Sequence, residues 1–175
     1  MGCMKDAMKK EIIDFFKTFA IAFVVIYTVS HVIFVPVKVF GSSMFPTLHD
    51  GDICFAGKLA AKAGTVNRFD IVVIDEKEGE QYLIKRVIGL PGETISCNDS
   101  KIYINGIEEY DESYLGDNVV TGSFDPVTLG EDEYFCLGDN RSNSKDSRYF
   151  GAFRKEDIVA KGIFVLYPFN RAGMR

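Results

Sequence analysis

The run Phe69-Asp70-Ile71-Val72-Val73-Ile74, answered by Tyr82-Leu83-Ile84-Lys85-Arg86-Val87-Ile88, decides the fold. Both runs are rich in β-branched residues, which pack well on a pleated surface. Neither shows the i, i+3, i+4 spacing of an amphipathic helix. Between them, Asp75-Glu76-Lys77-Glu78-Gly79-Glu80 predicts a solvated turn or hairpin tip. Gly89-Leu90-Pro91-Gly92 then stops the second run, as Pro/Gly clusters do.

Outward from this pair, Lys101-Ile102-Tyr103-Ile104, Asn105-Gly106 and Ile107 predict a tight hairpin. Asn-Gly tolerates the positive φ that both central positions of a type I′ turn demand. Further strands are expected at 133–137 and 163–167. Residues 110–130 are acidic and weakly periodic, an expected exposed loop with room for one short strand. Many short strands without helices imply a mostly β, antiparallel domain over residues 38–175, coiled into a barrel-like or sandwich form. The chain's 175 residues and net charge of −5 suit one such domain plus an appendage. The mild acidity argues against a nucleic-acid binder, which needs a clustered basic face.

The appendage is residues 18–37, TFAIAFVVIYTVSHVIFVPV, twenty positions without Asp, Glu, Lys or Arg. At ~1.5 Å per residue it spans roughly 30 Å as a helix, the depth of a bilayer's hydrocarbon core. A buried core helix is usually shorter and keeps a polar face, so a transmembrane helix is expected. Lys5, Lys9, Lys10 and Lys17 precede it, against Lys38 alone in the fifteen residues after it. That bias puts residues 1–17 in the cytoplasm and everything after the span outside, a single-pass plasma-membrane topology. No small-residue cleavage pattern follows closely, so the segment is expected to stay attached. Met-Gly-Cys-Met-Lys-Asp fails as a myristoylation signal because Asp6 stands where Ser or Thr is required.

Cys3 is cytoplasmic on this topology, leaving Cys54, Cys97 and Cys136 outside. No C-x-x-C spacing points to zinc. One disulfide among the three is open, but buried thiols acting as small hydrophobes fit an odd count better.

Three segments are more specific than any fold requires: Gly41-Ser42-Ser43-Met44-Phe45-Pro46-Thr47-Leu48, Ile84 to Glu93, and Gly138-Asp139-Asn140-Arg141-Ser142-Asn143-Ser144-Lys145-Asp146-Ser147-Arg148-Tyr149-Phe150-Gly151. A serine hydroxyl needs a base to attack an amide. The chain's two histidines are His31, inside the apolar segment, and His49. A Ser-His-Asp arrangement would therefore rest on His49 alone. Lysine serves instead if burial strips its proton. Strand alternation turns Lys85 to the face opposite Arg86; on the residues alone, a snorkelling surface lysine remains the competing reading. A calcium loop at Asp139 fails, because Arg141 occupies the third position where an oxygen ligand is needed.

Together with Phe69-Asp70-Ile71-Val72-Val73, these segments resemble the boxes of bacterial type I signal peptidases, in the family's order. The resemblance implies a membrane-bound serine endopeptidase that removes signal peptides from exported preproteins. It implies Ser43 as nucleophile, Lys85 as general base and Ser144 as the serine that hydrogen-bonds and orients the lysine. Asp139, Arg141, Asp146 and Arg148 match bracing positions, with Arg86 pairing Asp139. Some members carry a serine where Gly41 stands, so here the oxyanion is expected to lean on backbone N–H groups, chiefly that of Ser43. Ser42 is the rival nucleophile. Lysine at position 85 separates the chain from relatives with histidine there. Residues 37–41 and 81–84 are expected to flank an extended peptide, with Val37, Val39, Gly41, Tyr82 and Ile84 along it. Small pockets at Val37, Val39 and Ile84 would take Ala one and three residues before the cut.

A monomer without metal or cofactor is expected, its partners being preproteins and the bilayer. Two rivals share features of this reading: the self-cleaving SOS-repressor type and a non-catalytic pilus-assembly factor of the same fold. The first needs a soluble DNA-binding module, and the second loses the dyad retained here. Finally, Ala61-Lys62-Ala63 before Gly64 fits a small-x-small cleavage rule. Slow self-cleavage in trans is expected there if the segment is extended and exposed.

Overall fold

The computed structural model describes residues 2–76, 81–108, 115 and 119–175, with backbone only for 2–8 and 29–32. Of the tip expected at 75–80, residues 75 and 76 are strand, while 77–80 and most of 110–118 lie outside the described residues, as do the side chains of Cys3 and His31. The chain opens with α1 (Gly2–Ile33), β1 (Phe34–Lys38), β2 (Ile53–Gly57) and α2 (Lys58–Ala63). Then follow β3 (Ile71–Glu76), β4 (Gln81–Gly89), β5 (Thr94–Asn98), β6 (Lys101–Ile104), β7 (Ile107–Glu108) and β8 (Phe124–Thr128). β9 (Glu133–Leu137), α3 (Ser147–Phe150), β10 (Phe153–Arg154), β11 (Ile158–Tyr167) and β12 (Gly173–Met174) complete it.

The two β-branched runs become neighbours, β3 and β4, antiparallel with Val72 opposite Lys85 and Ile71 opposite Arg86. They sit in a sheet ordered β1-β2-β11-β3-β4-β9-β10, with β12 on β11. A second sheet runs β7-β6-β5-β8. Every pairing described is antiparallel. The Asn-Gly hairpin forms as expected, with φ of 52° at Asn105 and 79° at Gly106. The mostly β expectation therefore holds.

Three expectations are corrected. The apolar segment is not helical to Val37: α1 ends at Ile33, and residues 34–37 are strand β1, paired with β2. Val35 and Val37 turn toward the core while Phe34 and Pro36 do not, a period of two that a continuous apolar run conceals. No helix among the described residues is long and apolar enough to cross a membrane. Second, the β domain does contain helix. Lys58-Leu59-Ala60-Ala61-Lys62-Ala63 are strong helix formers and close α2 in under two turns. Third, the small-x-small site therefore lies in a helix, with Ala61 buried. A protease needs extended chain, so cleavage there requires α2 to unwind.

Buried side chains fall into three clusters that meet along the central strands. Met44 and Leu48, at 1% and 0% exposed, plug the first of them from the loop after β1. That anchoring fixes the backbone that follows Ser43. Cys54, Cys97 and Cys136 are buried thiols outside any disulfide. Burial raises the thiols of Cys54 and Cys136, so both stay protonated and act as apolar fillers.

Candidate active site

Ser43 sits at the end of the β1 limb, and Lys85 lies mid-strand in β4. Strand alternation aims Lys85 and Arg86 to opposite faces, and both are buried. Lys85 is 2% exposed and its Nζ lies 3.0 Å from Ser43 Oγ. Burial disfavours the ammonium and lowers the pKa from 10.5 to about 8, outweighing the opposing pull of Asp146 and Asp139. His49 is not a base for Ser43: its Nε2 meets the Pro46 carbonyl at 3.2 Å and its ring packs on Phe45.

The loop from Gly138 to Asp146 forms the wall behind the pair. Arg86 grips Asp139 with two parallel bonds, Nε to Oδ1 at 2.9 Å and Nη2 to Oδ2 at 2.7 Å. Thr47 Oγ1 donates to the same carboxylate at 2.5 Å, tying the nucleophile loop to this wall. Arg148 grips Asp146 in the same bidentate way, both bonds at 2.8 Å. Asp146 also accepts the Gly138 N–H at 3.0 Å and caps α3. Burial pushes its carboxyl up, but these donors overcome it, and its pKa is lowered. Arg141 is buried and donates to Thr121 Oγ1 at 2.8 Å.

Ser144 departs from expectation. Its Oγ is buried and forms no hydrogen bond, to Lys85 or to any other group among the described residues. The neighbouring Asp146 carboxylate feels the hydroxyl electrostatically, without a hydrogen bond between them. The Oγ is instead turned against Gly138, where an added Cβ would stand 2.2 Å from it and 2.5 Å from the Ser43 carbonyl. Only glycine admits that approach.

Gly41 also differs. It has φ of +79°, and its N–H is taken by Asp50 Oδ1 at 2.7 Å. Its contribution is the turn that delivers Ser43, not a free donor. Asn140 and Asn143 were not singled out from sequence. Asn140 donates from its backbone to the Ser43 carbonyl (2.9 Å) and from its side chain to the Ser42 carbonyl (3.0 Å). Asn143 Nδ2 donates to Ser42 Oγ at 2.9 Å. Both lie in the third quoted segment, but an amide aimed at a distant backbone leaves no pattern in sequence.

A cavity of about 800 Å³ opens beside the pair, between β1 and the first half of β4. Val37, Val39, Tyr82 and Ile84 line it, as expected, together with Ser43 and Lys85. β9 pairs with β4 from Arg86 onward, so, among the described residues, 81–85 are bonded on one side only, to β3. The N–H of Ser43 forms no hydrogen bond among the described residues. Among those residues, no cluster of His, Cys, Asp or Glu is arranged to hold a metal ion.

A family model described as signal peptidase, peptidase S26, matches residues 12–167. Signal peptidase I T of Bacillus subtilis (strain 168) is 39% identical, over 95% of this chain and 92% of that protein. Signal peptidase IB of Staphylococcus aureus (strain COL) is 35% identical, over 93% of each. The crystal structure of a signal peptidase I from Enterococcus faecalis V583 matches with a TM-score of 0.50 and 35% identity. It covers 55% of this chain and 96% of that one. Such matches define an enzyme of the serine peptidase class. The chain belongs to the signal peptidase family, peptidase S26.

Proposed function

We propose that this chain is a membrane-anchored endopeptidase that removes N-terminal signal peptides from exported preproteins, with Ser43 as nucleophile and Lys85 as general base. The observation carrying it is the 3.0 Å contact between Ser43 Oγ and the Nζ of the buried Lys85. With its pKa lowered to about 8, a useful fraction of Lys85 is neutral under mild conditions. Neutral Nζ accepts the Ser43 proton as Oγ attacks the scissile carbonyl. The Ser43 N–H stabilises the oxyanion, and the ammonium then protonates the departing amine. Water, deprotonated by the same lysine, releases the acyl group. The Asp139–Arg86 and Asp146–Arg148 pairs hold the wall, and Ser144 packs against Gly138 within it.

The substrate runs extended through the groove, pairing with the open side of residues 81–85 and placing small side chains near Val37, Val39 and Ile84. Residues 1–17 are cytoplasmic, the helical stretch 18–33 anchors the chain in the bilayer, and the domain from 38 to 175 lies outside. Supporting the anchor, Phe19, Phe23 and Ile26 are each more than 60% exposed on the part of α1, from residue 18 on, that carries no charged side chain. Thr18 and Thr28 hydroxyls bond back to Asp14 and Val24 carbonyls, as hydroxyls in lipid must. The test is incubation of the detergent-solubilised full chain with a preprotein. Release of the intact signal peptide by wild type, but not by Ser43→Ala or Lys85→Ala, is expected; equal release by either variant rejects the dyad.

A further inference from the structure

The groove carries more charge than the reaction uses. Among the described residues lining it are Lys38, Lys58, Lys62 and Lys85, and no Asp or Glu. Lys85 serves the chemistry, and Lys38 lies over the Phe40 ring at 5.4 Å. Lys58 and Lys62 stand four apart on α2, so they share one helix face, and that face borders the groove. Neither lysine is held by a hydrogen bond or ion pair among the described residues. Their neighbours differ: Lys155 is spent on the Gly64 carbonyl, and Lys161 on Asp70 and the Thr65 carbonyl.

Position gives this pair a role. α2 leaves β2 at Gly57, which lies opposite Phe34, the first residue of β1. The lysines thus flank the end of the groove nearest α1, while Ser43 occupies the other end. From Val35 to Val39 the strand advances about 13 Å at ~3.3 Å per residue, and an extended substrate keeps the same pace. If α1 is the anchor, a preprotein leaves the bilayer at the α1 end and meets the lysines before it meets Ser43. We infer that Lys58 and Lys62 form a subsite that reads a carboxylate side chain on the preprotein, roughly four to six residues before the cut. This rests on the groove being the preprotein site. Two flexible cations at a half-open surface discriminate modestly, favouring Glu or Asp there and disfavouring Lys or Arg. A lipid phosphate is the competing ligand, since the same end faces the bilayer. Both lysines line the same groove as Ser43 and Lys85, which favours the peptide.

The experiment uses the full chain in neutral detergent micelles and three preprotein-derived peptides identical except for Glu, Gln or Lys at that position. For wild type, kcat/KM for the Glu peptide should exceed that for the Lys peptide by about 2- to 10-fold, and salt should shrink the ratio. Lys58→Ala/Lys62→Ala should bring the ratio near one, and Lys58→Glu/Lys62→Glu should invert it. Lys62→Glu alone, at an exposed position, should shift the ratio the same way and carries the test if a double variant does not fold. No discrimination by wild type, or an unchanged ratio in the folded variants, overturns the subsite. Discrimination that appears only after phosphatidylglycerol is added also overturns it and assigns the lysines to lipid headgroups. Failure of wild type to cleave even the Gln peptide is a different result, because it rejects the signal-peptidase reading itself.

Discussion

Asn143 Nδ2 donates to Ser42 Oγ at 2.9 Å, turning that hydroxyl into the wall loop while the neighbouring Ser43 Oγ faces Lys85. Two adjacent serines are thereby given different work by their hydrogen-bond partners.

Ser43→Ala and Lys85→Ala should each abolish preprotein cleavage, whereas Ser42→Ala should keep most of it. Circular dichroism should report an unchanged fold in all three. A dead Ser42→Ala beside an active Ser43→Ala would reverse the assignment of nucleophile.

Activity should rise with pH through an apparent pKa near that of Lys85, lowered to about 8 by burial. Below it the ammonium has no lone pair to accept the Ser43 proton; above it the base is free. A kcat/KM profile against pH checks this, and an activity maximum on the acid side contradicts it. A chelator should leave the rate unchanged; strong inhibition reversed by zinc would sink the Ser/Lys chemistry.

The same lysine weakens the fold. Its folded pKa, about 8, is below its ordinary 10.5, so the unfolded chain binds more protons between those values and stability rises with pH there. Below about pH 8 the full penalty applies, on the order of 3 kcal/mol. Lys85→Met should therefore be inactive yet more stable at neutral pH, with an advantage that shrinks toward pH 10.5. Urea unfolding at several pH values measures it, and an advantage that grows with pH would contradict the sign.

Asp139→Ala should destabilise strongly, because it leaves Arg86 charged and 7% exposed without its bidentate partner. Breaking one side of a buried pair costs about 3–5 kcal/mol. Activity should fall with it, since Asn140, the next residue, holds the Ser43 carbonyl. A Tm within a degree or two of wild type would place that ion pair outside the stability of the wall.

β3, β4, β9 and the Asn105-Gly106 hairpin were legible because their β-branched runs and turn chemistry are local signals. β1 was not, since Phe34-Val35-Pro36-Val37 continues an apolar run and its alternation shows only once β2 is beside it. The Ser43 and Lys85 segments stood out in sequence, and the fold brings them within hydrogen-bond reach. Long-range detail did not stand out: Thr47 on Asp139, the asparagines on Ser42, and a Ser144 hydroxyl turned to Gly138 depend on residues 92 to 101 positions apart or on one rotamer.

The half-bonded stretch of β4 has a further consequence for the enzyme among its own copies. A row of unclaimed backbone donors and acceptors is an invitation to any strand, including the edge of another folded molecule. Here that row lies at the floor of a cleft walled by β1, not on an outer rim. A lone extended segment would enter such a cleft more readily than the edge of a whole sheet. On the proposed function the cleft would sort by thickness before it sorts by sequence, keeping finished proteins out and letting in a newly exported chain that has not yet folded.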